Sequence, residues 1–182
     1  MSIQLVGDGV TLRPFSPDEF DVLWAEETRD RGPFDVAWSP TDERARSNVH
    51  ARVRHSGTWR DRRVLDLGIE ADGRLVGDVQ ARRDHEFAPP GLFDLGIALF
   101  SDVRGRGIGT TALRLLTSFL FDEEQANRVF LSTDVDNVAM RRSAEKAGFT
   151  LEGVMRGFWV VPGQAPRDFA LYGRTRADHL SP

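Results

Sequence analysis

A glycine-rich turn between a strand pattern and a helix pattern constrains this chain more than any other stretch of its sequence. The turn, residues 104–109, reads Arg-Gly-Arg-Gly-Ile-Gly; residues 92–100 before it are typical of a strand, and the leucines and aromatics of residues 110–121 recur at helical spacing. A strand, a tight turn and a helix in this order direct backbone N–H groups and the positive end of the helix dipole toward one point. The turn therefore predicts an anion site, most naturally for phosphate, where glycine permits close approach and two arginines add charge.

The turn alone leaves the phosphate ligand open. A P-loop would need Lys followed by Ser or Thr after the glycines, and neither the lysine nor the spacing is present. A dinucleotide fingerprint would place G-x-G-x-x-G directly after the strand, whereas residues 101–104 intervene here. Asp134, at the end of the next predicted strand, could still serve as a ribose-binding acid. Dinucleotide binding therefore remains an alternative, as does a turn that is glycine-rich for packing alone.

The patterns along the rest of the chain predict an antiparallel meander followed by a right-handed strand–helix–strand crossover. The predicted strands cover residues 10–13, 64–70, 74–80, 92–100, 129–133, 156–161 and 168–173. The predicted helices cover residues 17–27, 41–55, 110–121 and 137–147. No linker or repeat interrupts this order, so residues 1–182 are expected to form one domain of the α/β (α+β) class, a mixed sheet covered by helices.

The composition excludes several classes of protein. The formal net charge of -4 argues against a nucleic-acid partner, which would favour a basic surplus. No apolar run approaches the roughly 18 residues of a membrane helix, and the first residues lack the pattern of a signal peptide, so a cytoplasmic protein with no membrane partner is expected. The sequence has no cysteine, which removes thiolate zinc clusters and acyl-cysteine intermediates. It also has no H-E-x-x-H motif, so no metal is expected.

Two motifs together indicate a family. Arg104, Gly107 and Gly109 match the signature Q/R-x-x-G-x-G/A of the GNAT superfamily of acyl-CoA-dependent N-acyltransferases. Asn137 is then followed by Glu-Lys-Ala-Gly-Phe at residues 145–149, which resembles the family's second motif, an Asn, a helix and K-x-G-F. Because both motifs occur in the expected order, the chain resembles this superfamily, and within it the branch of the ribosomal-protein N-terminal acetyltransferases.

The resemblance implies a fold and a donor. It implies a mainly antiparallel sheet of six to seven strands, splayed between its fourth and fifth strands, with helices on both faces and acetyl-CoA or another acyl-CoA in the wedge. A β-bulge at Gly96 would free an N–H group for the thioester carbonyl. The residues implied in cofactor binding are Ile97, Ala98, Leu99, Arg104, Gly105, Arg106, Gly107, Ile108, Gly109, Thr110, Asn137 and Arg142.

The resemblance also implies the reaction, which is direct attack of a primary amine on the thioester in a ternary complex. An α-amino group with a pKa of about 8 is easier to deprotonate than a lysine at about 10.4, so one carboxylate or water suffices as the base. The chain departs from its relatives where they carry a proton donor, since it has Ala144 for the usual Tyr and Met140 for the Ser of the ribosomal branch. The remaining catalytic candidates are Asp94, as the base, and Tyr172, which could donate a proton.

The acceptor is expected to be a protein N-terminus or a small-molecule amine. Phe34, Trp38 and Trp159 are the candidate acceptor-binding residues, since exposed aromatics would form a binding wall. Succinyl-CoA or another longer donor remains an alternative, as does an acyl-CoA-binding sensor without activity, which Ala144 and Met140 would favour. Homodimers are common in the resembled branch, so the resemblance leaves a homodimer open as one oligomeric state of this chain.

Overall fold

The structure of the protein is a computed structural model that describes residues 2–29, 43–61, 63–83, 89–160 and 163–181. The strands within these ranges are β1 Leu5–Gly7, β2 Val10–Arg13, β3 Trp59–Arg60, β4 Val64–Ala71, β5 Arg74–Arg82, β6 Leu92–Leu99, β7 Arg128–Asp134, β8 Thr150–Trp159 and β9 Arg167–Thr175. The α-helices are α1 Phe20–Thr28, α2 Glu43–His55, α3 Ile108–Asp122, α4 Val138–Lys146 and α5 Arg176–Leu180. No helix in the described ranges has the length and apolar character needed to cross a membrane.

All the strands belong to one mixed sheet. Their order is β1-β2-β4-β5-β6-β7-β9-β8, with β3 paired to β4, and among these described strands only the β6–β7 pair is parallel. The predicted mixed, mainly antiparallel sheet is therefore confirmed, but the predicted count of six to seven strands was too low. The two missed strands, β1 and β3, have three and two residues, which is too short for an alternating pattern to be detected in the sequence.

The sheet opens into a fork between β6 and β7. The two strands pair only where Leu92, Phe93 and Asp94 lie beside Arg128, Val129 and Phe130. Beyond this point β6 continues to Leu99 on β5, and β7 continues to Asp134 on β9. We call this divergence the fork, and it confirms the predicted splay between the fourth and fifth predicted strands.

Helices cover both faces of the sheet. A Cβ placed on Gly109 of α3 would lie 3.3 Å from Cδ1 of Leu99 and 3.7 Å from Cδ1 of Ile97, so these β6 side chains point toward α3. On the other face α2 is tied to the sheet by Arg52, whose Nη2 lies 2.6 Å from Oδ2 of Asp78 and whose Nε lies 3.5 Å from Oδ1 of Asp66. Because residues alternate between faces along a strand, Asp94, Gly96 and Ala98 of β6 lie on the face opposite α3.

The ion cluster under α2 is deeply buried. The side chain of Asp66 is 1% exposed, and that of Asp78 is 10% exposed. Burial raises the pKa of Asp66, and Arg52 and Arg60 oppose that rise. Arg52, which contacts both carboxylates, and Arg60, whose Nη2 lies 3.7 Å from Oδ2 of Asp66, therefore make this burial tolerable.

The predicted start of the strand that follows α4 was wrong. β8 begins at Thr150, not at residue 156, because Gly148, with φ +88°, ends α4 and the chain enters the strand directly. The pairing of β8 with β9 shifts register near Gly153 and again before Trp159, and these irregularities hide the strand pattern in the sequence. The short helix α5 was not predicted.

Candidate active site

A cleft of about 730 Å³ opens at the fork, and we call it the cofactor cleft. The end of β6, the turn into α3 and one face of α4 form its walls. The predicted cofactor residues that line it are Ile97, Ala98, Leu99, Arg104, Gly105, Gly107, Ile108, Gly109, Thr110, Asn137 and Arg142. Two motifs that lie far apart in the sequence thus meet on opposite walls of one cleft.

The turn into α3 presents backbone N–H groups to the cofactor cleft. Gly105 and Gly107 have φ of +79° and +85°, left-handed values that glycine adopts without strain. Gly107 is the N-cap of α3 and has no side chain that could cap the helix, and the first helical bond runs from the Thr111 N–H to the Gly107 carbonyl, 3.1 Å. The N–H groups of residues 108–110 therefore lie at the positive end of the helix dipole, an arrangement suited to a phosphate.

The two arginines of the turn have different roles. Arg104 lines the cleft and donates from Nε to the Leu99 carbonyl at 3.0 Å, which ties the turn to the end of β6. Arg106 does not line the cleft, and its Nη2 lies 2.8 Å from Oδ2 of Asp72 in the β4–β5 hairpin. Arg106 therefore braces the turn from outside, whereas the sequence suggested a direct contact with the cofactor.

The α4 wall contributes a cation that sequence reasoning missed. Asn137 caps the helix, since its side chain accepts the Met140 N–H at 3.2 Å. Arg142 and Lys146 both line the cleft, and neither has an ion-pair partner among the described residues. Lys146 lies four residues after Arg142, so helical spacing placed it on the same face and was the signal that could have identified it.

The free edge of β6 offers backbone groups to the cleft. Phe100 donates its N–H to the Val76 carbonyl at 2.9 Å, so its backbone faces β5. Because backbone polar groups alternate along a strand, those of Ile97 and Leu99 face the fork, where β7 has diverged. Within the described residues, this part of β6 has no neighbouring strand on the fork side, although the Leu99 carbonyl accepts from Arg104, and an extended ligand can bind along the edge.

The β-bulge predicted at Gly96 is absent from β6. The β5–β6 pairing is in even register from Arg82 with Asp94 to Gly77 with Leu99. A register shift occurs instead between β4 and β5, next to Ile69. The fork itself explains why a bulge is unnecessary, since the divergence of β7 already frees the N–H groups of β6.

The two positions where relatives carry a proton donor differ in environment. Ala144 is fully buried and lies outside the cleft lining, whereas Met140 lines it. Ser143 also lines the cleft, but its hydroxyl donates to the Ala139 carbonyl of its own helix at 3.0 Å. The described part of the α4 wall therefore adds one hydroxyl to the cleft, and that hydroxyl is already engaged.

The two catalytic candidates are both engaged in contacts. Asp94 lies on the face opposite α3, and its Oδ2 is 2.9 Å from Nη2 of Arg82. Tyr172 is fully buried, and its hydroxyl donates to Oε1 of Glu145 at 2.9 Å and accepts from Nε of Arg141 at 3.3 Å. The hydrogen bond to the Tyr172 hydroxyl raises the pKa of the Arg141 guanidinium. Neither candidate lines the cofactor cleft.

Asp134, the candidate ribose-binding acid, is buried, and its Oδ2 lies 2.6 Å from Nε of Arg167. Its Oδ1 accepts the Asp136 N–H at 2.8 Å in the turn between β7 and α4, so one oxygen serves that turn and the other pairs with β9. This engagement disfavours the dinucleotide alternative. Among the described residues, no group of His, Asp or Glu is arranged to hold a metal ion.

The predicted acceptor-binding aromatics are only partly described. Phe34 and Trp38 lie outside the described residues. Trp159 is half-buried and stacks on Phe169, with ring centroids 6.1 Å apart, and Phe158 lies 5.2 Å from the same ring. Phe169 pairs with Asp134 at the end of β7, so these aromatics stand beside the open end of the fork.

An open fork, with an anion site on one side and a free strand edge on the other, is characteristic of a protein that binds an extended phosphorylated ligand. Residues 10–150 match the family model described as "Acetyltransferase (GNAT) domain". The chain therefore belongs to the GNAT acetyltransferase family, as its two motifs indicated.

Named relatives agree with this family. The putative ribosomal N-acetyltransferase YdaF of Bacillus subtilis (strain 168) is 34% identical over 110 residues, which are 58% of this chain and 58% of that protein. The chain thus spans somewhat more than half the length of this curated relative. Mycobacterium smegmatis RimJ in complex with CoA-disulfide has a TM-score of 0.74 at 24% identity, over 100% of this chain and 89% of that chain.

A second solved structure supports the same fold. The microcin C7 self-immunity acetyltransferase MccE, in complex with acetyl-CoA and AMP, has a TM-score of 0.76 at 21% identity and covers 93% of both chains. At these identities RimJ and MccE establish the GNAT fold. The compounds bound in these two structures are properties of RimJ and MccE.

Proposed function

We propose that this protein transfers an acetyl group from acetyl-CoA to a primary amine by direct attack in a ternary complex. The observation that carries the proposal is the cofactor cleft, where the anion site of α3 and the free edge of β6 share one cavity. The diphosphate of CoA fits the N–H groups of residues 108–110. The pantetheine arm, which has its own amides, fits the backbone groups of Ile97 and Leu99.

Charge on the α4 wall supports CoA as the ligand. Arg142 and Lys146 face the α3 turn from the opposite side of the cleft, and Arg104 adds a third cation. A ligand with several phosphate groups would neutralise the positive charge that these three side chains bring to the cleft. The complexes of RimJ and MccE with CoA compounds are consistent with the same ligand here.

The chemistry of the proposed reaction needs little from the side chains. The amine lone pair attacks the thioester carbonyl carbon, a C–N bond forms, the C–S bond breaks, and the thiolate leaves with the bonding electrons. One proton leaves the nitrogen and one reaches the sulfur, both through water in this proposal. Asp94 is occupied by Arg82 and Tyr172 is buried beneath α4, so we infer that neither acts as the acid or base.

The first prediction is acceptor-dependent release of CoA. The chain contains no cysteine, so a thiol reagent detects only the CoA product and can be present throughout the reaction. Wild-type protein with acetyl-CoA should release thiol when a peptide with a free N-terminus or a small amine is added, and not with the N-acetylated peptide. Replacing acetyl-CoA by succinyl-CoA in the same assay tests the longer donor.

The alternative is a protein that binds acyl-CoA without transferring the acyl group. It is favoured by Ala144 and Met140, which cannot donate a proton and occupy the positions where relatives carry a proton donor. It predicts tight binding of acetyl-CoA and no thiol release above the acceptor-free rate with any amine. That combination would contradict the transferase proposal. Cytoplasmic location, a homodimer and organisation as one domain stay predictions beside the proposed function.

A further inference from the structure

The face of the sheet opposite α3 carries a second group of polar side chains at the fork. Asp94 pairs with Arg82 of β5 and with Phe130 of β7, and paired residues point to the same face. Gly96 and Ser132, two residues further along β6 and β7, therefore also lie on this face. We call it the acceptor face, because the α3 side of the fork holds the cofactor cleft and a second substrate must approach from elsewhere.

Arg82 lies directly over the mouth of the fork. A Cβ placed on Gly96 would be 3.4 Å from both Nη1 and Nη2 of Arg82, so the guanidinium lies across the glycine. Asp94 holds it in place, with Nη2 at 2.9 Å and Nε at 3.1 Å from Oδ2. Nη1 has only a long contact of 3.4 Å to Gln80, and the side chain is 39% exposed. Arg82 can therefore donate further hydrogen bonds to a molecule bound at the fork.

Ser132 lies on the same face of the sheet as Arg82, on the other arm of the fork. It follows Phe130, the last β7 residue paired with β6, and it is half-buried. Its hydroxyl has no hydrogen-bond partner within the described ranges, whereas Ser143 and Ser56 bond to backbone carbonyls. A half-buried hydroxyl beside an open fork can accept a hydrogen bond from a bound amine.

We propose that the acceptor face selects an α-amino group next to a carbonyl, as at a peptide N-terminus or in an amino-acid amide, with Arg82 binding the carbonyl oxygen and Ser132 the amine. This inference rests on the proposed transferase function and specifies its acceptor class. Arg82 also repels the additional ammonium groups of a polyamine, so the same side chain disfavours binding of polyamines as acceptors. Asp94 is then a positioning residue that orients Arg82.

The test compares two acceptors in two proteins. Alanine amide carries the α-carbonyl and 2-aminobutane does not. The measured quantity is kcat/KM for alanine amide divided by kcat/KM for 2-aminobutane, because defects that affect all amines equally cancel in this ratio. Substitution of Arg82 by Gln should lower this ratio about tenfold, since a charge-assisted hydrogen bond is lost. The kcat/KM for spermidine, relative to 2-aminobutane, should rise in the same variant.

Two control variants distinguish a change in acceptor selectivity from an overall loss of activity or folding. Arg82→Lys keeps the charge and should still disfavour spermidine while losing part of the carbonyl preference. Arg54→Gln removes an exposed arginine of α2 and should change neither ratio. An unchanged ratio in an active Arg82→Gln variant would overturn the acceptor class and leave the transferase proposal intact. Absence of thiol release with every amine in the wild type would overturn both.

Discussion

Replacing Gly107 with glutamate should abolish binding of CoA thioesters and all activity that depends on them. Gly107 is the N-cap of α3 and lines the cofactor cleft, where a Cβ would meet no atom within 4 Å. The new carboxylate would therefore project into the space proposed for the diphosphate and repel it. Like charges brought together in this way cost several kcal/mol, so Kd for acetyl-CoA should rise at least about a hundredfold.

Gly73 provides a matched control for this variant. It also has a positive φ, +73°, and a Cβ added there would meet no atom within 4 Å, but it lies in the β4–β5 hairpin outside the cleft. Gly73→Glu thus introduces the same charge and similar backbone strain. Isothermal titration with acetyl-CoA should give the wild-type Kd for Gly73→Glu. Equal Kd values for wild type and Gly107→Glu would contradict the placement of the diphosphate.

Replacing Arg52 with alanine should strongly lower the free energy of unfolding of the protein. The substitution removes the cation that lies 2.6 Å from Asp78 and 3.5 Å from Asp66 and leaves both carboxylates buried. Breaking a buried pair costs about 3–5 kcal/mol, which lowers Tm by roughly 6–20 °C in a domain of this size. Arg54→Ala, at an exposed position of the same helix, should shift Tm by no more than about 2 °C.

The pH dependence distinguishes lost charge compensation from lost packing. Burial already raises the pKa of Asp66, and removal of Arg52 should raise it further above its value in the unfolded chain. The folded state then binds more protons than the unfolded state between the two pKa values, so stability increases as pH falls. Arg52→Ala should therefore recover part of its lost stability as the pH is lowered from neutrality toward the unfolded-state pKa of an aspartate, about 3.9. A deficit that stays constant over this range would indicate packing alone.

The local features of the site were predictable because they depend on residues close in sequence. The glycines of residues 105–109 indicated an anion site, since a strand, a turn and a helix N-terminus in succession produce one. Asn137 and the glycine that ends α4 marked both ends of that helix. These two local motifs contain most of the predicted residues that line the cleft, and the resemblance to a family joined them into one site.

The long-range partners of charged side chains could not be predicted. Arg106 pairs with Asp72, 34 residues away in sequence, and Tyr172 bonds to Glu145, 27 residues away. Asp94 looked like a base because its partner, Arg82, lies on another strand at a register that periodicity does not specify. Periodicity tells which face a residue lies on, and tertiary packing decides which partner it meets there.

The most direct test of the central claim is a thermal-shift measurement on the wild-type protein with acetyl-CoA, CoA and NAD. A ligand that binds only the folded state stabilises it by about 2.7 kcal/mol at a concentration one hundred times Kd. For a domain of this size, Tm should rise by about 5–10 °C with acetyl-CoA and with CoA, and should not change with NAD. A rise with NAD alone, or no rise with either CoA compound, would contradict the assignment of the cleft.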